Sequence, residues 1–117
     1  MLDDKRLKEA EKNVREYLNE ELIAKEPFKS VVFDTFIKNH EESIALAEHI
    51  HSNNLSQLWT IVVNYYSMFY LANAVLYKRG YKIKGKLVHK VTADALIVFV
   101  RNKLKLTLLE EYEDAKE

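Results

Sequence analysis

The spacing of apolar residues predicts a chain of helices. From Asp3 to about Lys25, apolar residues recur at three- and four-residue steps, the pattern of a helix with one dry face. Pro27 marks a restart, because proline is tolerated in the first turn of a helix and breaks it further in. A second helix is predicted from about Phe28 to His51. Its apolar stripe comprises Phe33, Phe36, Ile37, His40, Ile44, Ala47 and His51.

The third predicted helix is the least polar part of the chain. Asn54 with Gln57 three residues later resembles a capping box that starts it, and Gly80 is suited to end it in a left-handed conformation. The stretch from Leu58 to Tyr77 carries no charge and is long enough to span a bilayer. Its tyrosines are spread along the helix, however, whereas membrane helices hold them at the interfaces. We therefore predict a central helix that is packed on several sides.

A lysine-rich loop and two further helices complete the prediction. The loop runs from Gly80 to Lys86, a fourth helix from about Leu87 to Lys103, and a last helix from about Leu106. The last helix reaches Glu117 without a capping signal, which leaves open a natural chain with a further C-terminal helix. One proline and two glycines among 117 residues provide few tight turns. We expect one all-α domain over residues 1–117.

Several kinds of chemistry are excluded by composition. The chain has no cysteine, so it has no disulfides, no thiolate catalysis and no cysteine-based zinc site. His49 and His51 are two residues apart on a helix and point about 200° apart, so they cannot chelate one metal. We predict no metal and no cofactor. The N-terminus lacks the pattern of a signal peptide, so we expect a cytoplasmic protein without a membrane segment.

The charges are unevenly distributed although the formal net charge is zero. Residues 78–106 hold nine basic residues against Asp94 alone, a net charge of +8. Such a segment attracts the phosphates of RNA or of a nucleotide. The alternative is a solvated face that pairs with the acidic first helix or with an acidic partner. The predicted phosphate-binding residues are Lys82, Lys84, Lys86 and Lys90.

Three further residues carry candidate chemistry. His89 lies in the first turn of the fourth helix beside the basic loop, where it can transfer protons at neutral pH; the alternative is a packed or capping histidine. Asn73 lies within the apolar arc of the third helix, so its amide must either brace a neighbouring helix or face a polar cleft. Tyr70 and Asn73 complete the predicted nucleotide-contacting set.

The stretch from Trp59 to Phe99 resembles the HEPN family, the higher eukaryotes and prokaryotes nucleotide-binding domain. The resemblance covers about 40 residues, and its most specific parts are residues 65–70 (Tyr-Tyr-Ser-Met-Phe-Tyr), Gly80 and His89. It implies an up-and-down bundle of four to five helices, usually dimeric, with a cleft between subunits. Many members are metal-independent ribonucleases with an arginine, a polar residue and then a histidine four to six residues after the arginine.

The chain departs from this nuclease motif. Arg101 and Asn102 match its opening, but Leu-Thr-Leu at positions 106–108 stands where the histidine belongs, and Arg79 precedes His89 by ten residues. The resemblance therefore implies an RNA- or nucleotide-binding module that is the dimeric partner of a minimal nucleotidyltransferase in a toxin–antitoxin pair. The alternative is a metal-independent ribonuclease with a rearranged site. In that site His89 is the general acid or base, and Arg79 or Arg101 stabilises the transition state.

Overall fold

Helices make up most of the chain in the computed structural model, which describes residues 3–116 except the side chains at positions 112 and 116. The predicted predominance of helices is confirmed, and two short strands are added to it. The elements are α1 (Asp4–Asn19), β1 (Ile23–Lys25), α2 (Ser30–Ser52), α3 (Gln57–Lys78), β2 (Tyr81–Ile83), α4 (Val88–Leu96), a π-helical turn (Ile97–Arg101) and α5 (Asn102–Lys116).

Residue contacts divide the chain into two compact units. The first unit contains the chain up to Ala24 and again from Ile83 onward, and the second contains Lys25–Lys82. Strands β1 and β2 are hydrogen-bonded neighbours in a two-stranded sheet. The prediction of one domain over residues 1–117 stays a prediction.

In the first unit, α1 packs on α4 and on the π turn. Asp3 caps α1, because its carboxylate accepts a hydrogen bond from the Arg6 amide at 2.8 Å. The apolar face predicted for the first helix is the one that is buried, and burial of such faces is the main force that stabilises helix packing. The buried apolar residues of this unit are Ala10, Val14, Tyr17, Ile23, Ile83, Val91, Ala95 and Ile97.

The second unit is a hairpin of α2 and α3. Ser56 caps α3 by accepting a hydrogen bond from the Trp59 amide at 3.2 Å. The two small residues Ala47 and Ala74 are each only 1% exposed. Small side chains at such positions let two helix backbones approach closely.

A histidine and a serine join α2 to α3. The Nδ1 atom of His40 lies 2.9 Å from the Ser67 hydroxyl, and that hydroxyl is also 3.2 Å from the His40 carbonyl, to which it can donate. His40 is half-buried, as a hydrogen-bonded residue on the apolar stripe should be. The prediction that His51 lies on the same buried stripe is wrong, since His51 is exposed.

Two predicted helix boundaries are wrong, and the conformation of the backbone explains both. The first helix ends at Asn19 rather than near Lys25, because the following residues adopt a positive φ at Glu21 and then enter strand β1. The predicted break before Leu106 is absent. The chain stays helical from α4 through the π turn into α5, and no proline or glycine lies there to stop it.

The predicted capping box is also wrong. Asn54 adopts a positive φ of 50°, and Ser56, two residues later, caps α3 instead. Asparagine tolerates the left-handed region better than most residues, which suits it to the turn rather than to the cap.

Helix α3 is not enclosed on several sides, contrary to the prediction. Helix α3 packs on α2, and several of its large apolar residues are exposed. These are Leu58, Trp59, Ile61, Tyr65, Tyr66, Met68 and Leu71. Among the described residues, no helix combines the length and the apolar character needed to cross a membrane.

Candidate functional site

A cluster of aromatic rings and lysines lies at one end of the α2–α3 hairpin. We call it the lysine–aromatic cluster, and its members are Phe28, Phe33, Phe36, Tyr77, Lys78 and Lys82. The Phe28 ring centroid lies 5.7 Å from that of Phe33 and 5.5 Å from that of Tyr77. Tyr77 also contacts Phe36, with 6.3 Å between ring centroids. These separations lie in the range at which aromatic pairs attract each other.

The two lysines of the cluster sit over aromatic faces. The Lys78 ammonium is 5.0 Å from the Phe28 centroid and 5.3 Å from the Phe33 centroid. The Lys82 ammonium is 4.6 Å from the Phe36 centroid. A cation within about 6 Å of a ring centroid is attracted by the electrons of the ring face. The rings of α2 and of the segment before it therefore attract both lysine side chains.

Tyr77 fixes the aromatic part of this cluster. Its ring is only 2% exposed, and its hydroxyl accepts from the Lys29 amide at 2.9 Å and donates to the Pro27 carbonyl at 3.3 Å. These two bonds tie the segment before α2 to the end of α3. Phe28 lies between the two bonded residues, and its ring remains 48% exposed. The segment thus presents a phenyl face to solvent from a fixed backbone.

A groove adjoins the cluster within the second unit. It has a volume of about 320 Å³ and is walled by Phe33, Ile37, Leu71, Ala74, Val75, Lys78 and Arg79. Most of the wall is apolar, and the positive charge comes from Lys78 and Arg79. Its size lies at the small end of the range for ligand pockets.

Two predicted nucleotide-contacting residues of α3 contact other residues of the same helix. Asn73 is 6% exposed, and its amide donates to the Phe69 carbonyl of the same helix at 3.0 Å. Tyr70 is half-buried and packs against the rings of Tyr66 and Phe69. The sequence left two roles open for the Asn73 amide, bracing a neighbouring helix or facing a polar cleft. The structure adds a hydrogen bond to its own helix.

The remaining predicted lysines lie in the first unit. Lys84, Lys86 and Lys90 are exposed, on the turn after β2 and at the start of α4. The turn requires Gly85, because its φ is +87° and a Cβ there would lie 2.7 Å from the Leu22 Cδ2 atom. The Lys84 amide donates to the Leu22 carbonyl at 2.8 Å, which holds the turn against β1.

The three predicted catalytic residues are dispersed along the chain. Arg79 follows α3 and lines the groove of the second unit, whereas His89 and Arg101 belong to the first unit. His89 is exposed in the first turn of α4, and Arg101 donates to the Asn102 side chain at 3.1 Å. These two residues are twelve positions apart on one helical run, about 18 Å along its axis. In one chain they are therefore too far apart to act on the same phosphate.

The one acidic residue of the basic segment, residues 78–106, is buried. Asp94 is the one acid between Glu48 and Glu110, and it is fully buried. Its Oδ1 atom lies 2.7 Å from the Arg6 guanidinium, and its Oδ2 atom accepts from Tyr17 at 2.9 Å and from Asn13 at 3.2 Å. The carboxylate is matched there by a cation and by two neutral donors.

The same contacts change the pKa of Tyr17. Burial, followed by the hydrogen bond to Asp94 and the charge of that carboxylate, raises the pKa of Tyr17 from 10.0 to about 12. The phenol therefore stays protonated and keeps donating its hydrogen bond at neutral pH.

Sequence reasoning missed Phe28 and Lys78 as parts of a site. Phe33 and Phe36 were placed on the apolar stripe of the second helix, which is where α2 carries them. The available signal was the charge-free stretch that Lys78 directly follows, together with the phenylalanine directly after Pro27.

Neither a metal site nor a known relative points to the chemistry. Among residues 3–116, no group of three histidine or acidic side chains is arranged to hold a metal ion. No protein-family model, curated protein or solved structure matches this chain.

Proposed function

We propose that this protein is a HEPN-like module that binds single-stranded RNA or a nucleotide through the lysine–aromatic cluster. The observation that carries the proposal is the Lys78 ammonium held over the half-exposed ring of Phe28. Proteins that bind single strands combine aromatic rings, on which bases stack, with cations that neutralise the phosphates. The cluster offers both within one compact unit.

The charge carried by α3 and β2 supports the same ligand. Neither α3 nor β2 carries an acidic residue, and Arg79 lies next in sequence to Lys78. A phosphate that approaches this end of the hairpin meets no carboxylate from these elements. Binding should depend strongly on salt, because each neutralised phosphate releases counterions.

Binding of labelled single-stranded RNA, followed by fluorescence anisotropy, tests the proposal. We expect Phe28→Ala to weaken binding about tenfold, since a stacked base is worth about 1 to 3 kcal/mol. Lys78→Ala should reduce the slope of log K against log salt by about one. Lys38→Ala is the control, because Lys38 is an exposed lysine of α2 near Glu42 and outside the cluster. Equal binding by all four proteins would overturn the proposed site.

The biological context that we propose follows from the family resemblance. The module acts as a homodimer and as the cytoplasmic partner of a minimal nucleotidyltransferase in a toxin–antitoxin pair. Co-expression with a nucleotidyltransferase encoded in the adjacent reading frame should give a complex that co-purifies. A monomer that neither co-purifies with it nor binds RNA at low salt would contradict this role.

A second candidate function rests on His89, which is exposed in the first turn of α4. A histidine in that position can transfer a proton during cleavage of RNA without a metal. This function predicts RNA cleavage that resists EDTA and is lost in His89→Ala but not in His49→Ala. Equal cleavage by the wild type and His89→Ala would assign the activity to a contaminant.

A further inference from the structure

The groove between α2 and α3 is apolar along its length and positively charged at one end. Its charged wall residues are Lys78 and Arg79, which lie together where α3 ends. Its five apolar wall residues come from both helices and are Phe33, Ile37, Leu71, Ala74 and Val75. A ligand that fills the groove must therefore be apolar over most of its surface and carry a negative charge at one end.

The wall of the groove selects against polar occupants. None of its seven side chains accepts a hydrogen bond, because phenylalanine and the aliphatic residues have no polar side-chain atom and lysine and arginine only donate. The edges of most nucleobases and the amides of a peptide carry N–H groups, which are costly to bury without an acceptor. A hydrocarbon chain carries no such group. The wall therefore favours an aliphatic occupant over a base or a peptide.

The size of the groove sets the length of that occupant. Its volume of about 320 Å³ holds about ten groups the size of a water molecule, at roughly 30 Å³ each, and a methylene group is of similar size. Leu71 and Lys78 are seven residues apart in α3, so they lie about 10 Å apart along the helix axis. A single chain of about eight to ten carbons suits both dimensions.

We propose that this groove binds a medium-chain fatty acid, with its aliphatic chain between α2 and α3 and its carboxylate at Lys78 and Arg79. No acidic residue is among the seven that line the groove, so their charges are all positive. The C-terminal end of α3 contributes a partial negative charge of about one half, which the two full positive charges outweigh. The site uses the groove rather than the exposed ring of Phe28, so it does not depend on RNA binding.

Calorimetric titration of the wild-type protein with ligands below their micelle concentrations tests the proposed chemistry without altering the fold. We expect decanoate to bind saturably, with one molecule per chain. Decanol and decyltrimethylammonium, which share the aliphatic chain but lack the negative charge, should bind about threefold more weakly. Equal affinity for the three compounds, or no binding of decanoate, would overturn the proposal.

The dependence of affinity on chain length tests the size of the site. We expect the affinity to increase about fourfold for each methylene group from hexanoate to decanoate. It should level off in longer acids, because their additional carbons extend beyond the groove. An increase that continues by the same factor up to tetradecanoate would contradict an occupant confined to this groove.

Methyl NMR tests the location of the bound chain. We expect saturation with decanoate to shift the methyl signals of Ile37 and Leu71. Ile61 and Leu104 are the controls: Ile61 is 62% exposed on α3 outside the groove, and Leu104 is 48% exposed on a surface that also carries two basic residues. Shifts of the control methyls as large as those in the groove would show adsorption to any exposed apolar surface and would overturn the proposal.

Removal of the two cations tests their role. We expect the double variant Lys78→Gln and Arg79→Gln to bind decanoate about tenfold more weakly and to bind decanol as the wild type does. Both side chains are exposed, so the substitutions leave the buried residues in place. Lys38→Gln is the matched control, because Lys38 is an exposed lysine that follows Ile37 and does not line the groove. Equal affinity of the double variant and the control for decanoate would contradict the proposed carboxylate site.

Discussion

The two units hold their helices together with different polar groups. In the first unit α1 is joined to α4 by a charged network, in which buried Asp94 contacts Arg6 at 2.7 Å and accepts from Tyr17. In the second unit α2 is joined to α3 by hydrogen-bond contacts between His40 and the uncharged side chain of Ser67. A buried charge is costly once its partner is lost, whereas a neutral hydrogen bond contributes about 1 kcal/mol. The first unit should therefore respond much more strongly to loss of a polar group.

The largest expected effect follows from Asp94→Ala. This change leaves Arg6 and the Tyr17 hydroxyl without their shared acceptor. We expect the free energy of unfolding to fall by about 3 kcal/mol, the low end of the range for a broken buried pair, because Arg6 is one-third exposed. Urea denaturation measures the change, and Asp34→Ala, at an exposed position of α2, is the control. Equal stability of the two variants would show that the network does not hold the unit together.

The stability of the first unit should depend on pH in the alkaline range, where Tyr17 titrates. The pKa of Tyr17 is raised from 10.0 to about 12 on folding, so its contribution is complete below pH 10 and is lost as the pH rises through 12. The free energy of unfolding should fall by about 2 to 3 kcal/mol over this pH range. Tyr17→Phe should remove this part of the alkaline dependence, as measured by urea denaturation at several pH values. An identical pH profile in wild type and Tyr17→Phe would refute the assignment.

Substitution of the two glycines should lower the free energy of unfolding by intermediate amounts. Gly85 and Gly80 both have positive φ, but only at Gly85 would a Cβ meet a neighbour, the Leu22 side chain at 2.7 Å. We expect Gly85→Ala to lower the free energy of unfolding by about 2 kcal/mol and Gly80→Ala by about 1 kcal/mol. Thermal or urea denaturation of both variants measures the difference. A larger loss at Gly80 would mean that backbone strain, rather than the contact with Leu22, dominates.

The smallest effect is expected from Ser67→Ala in the second unit. It removes the hydroxyl contacts with His40, but the His40 ring remains within 2.9 Å of the Ser67 carbonyl. The expected loss is about 1 kcal/mol, measured by urea denaturation against Ser52→Ala at the exposed end of α2. A loss as large as that of Asp94→Ala would remove the distinction between charged and neutral polar contacts.

The sequence predicts the helices well because their apolar spacing is a local property. It does not predict the strands, since β1 and β2 have three residues each and are too short to show an alternating pattern. It also does not predict the π turn, because no proline or glycine marks a change of helix type in this part of the chain.

The candidate site depends on contacts that no local pattern encodes. Tyr77 bonds to residues about fifty positions earlier, and Tyr17 to one 77 positions later. The concentration of basic residues in 78–90 was visible in the sequence, but the phenylalanines under Lys78 and Lys82 were not. Composition thus indicates the class of ligand, and only the fold shows which rings accompany the cations.

Photo-cross-linking to RNA tests the central claim most directly. Single-stranded RNA that contains 4-thiouridine is bound at low salt and irradiated, and the modified peptides are identified by mass spectrometry. We expect the adducts to map to the peptides that contain Phe28 and Phe33, and to diminish in Lys78→Ala. Adducts confined to α5, or distributed evenly over the chain, would contradict a binding site at the lysine–aromatic cluster.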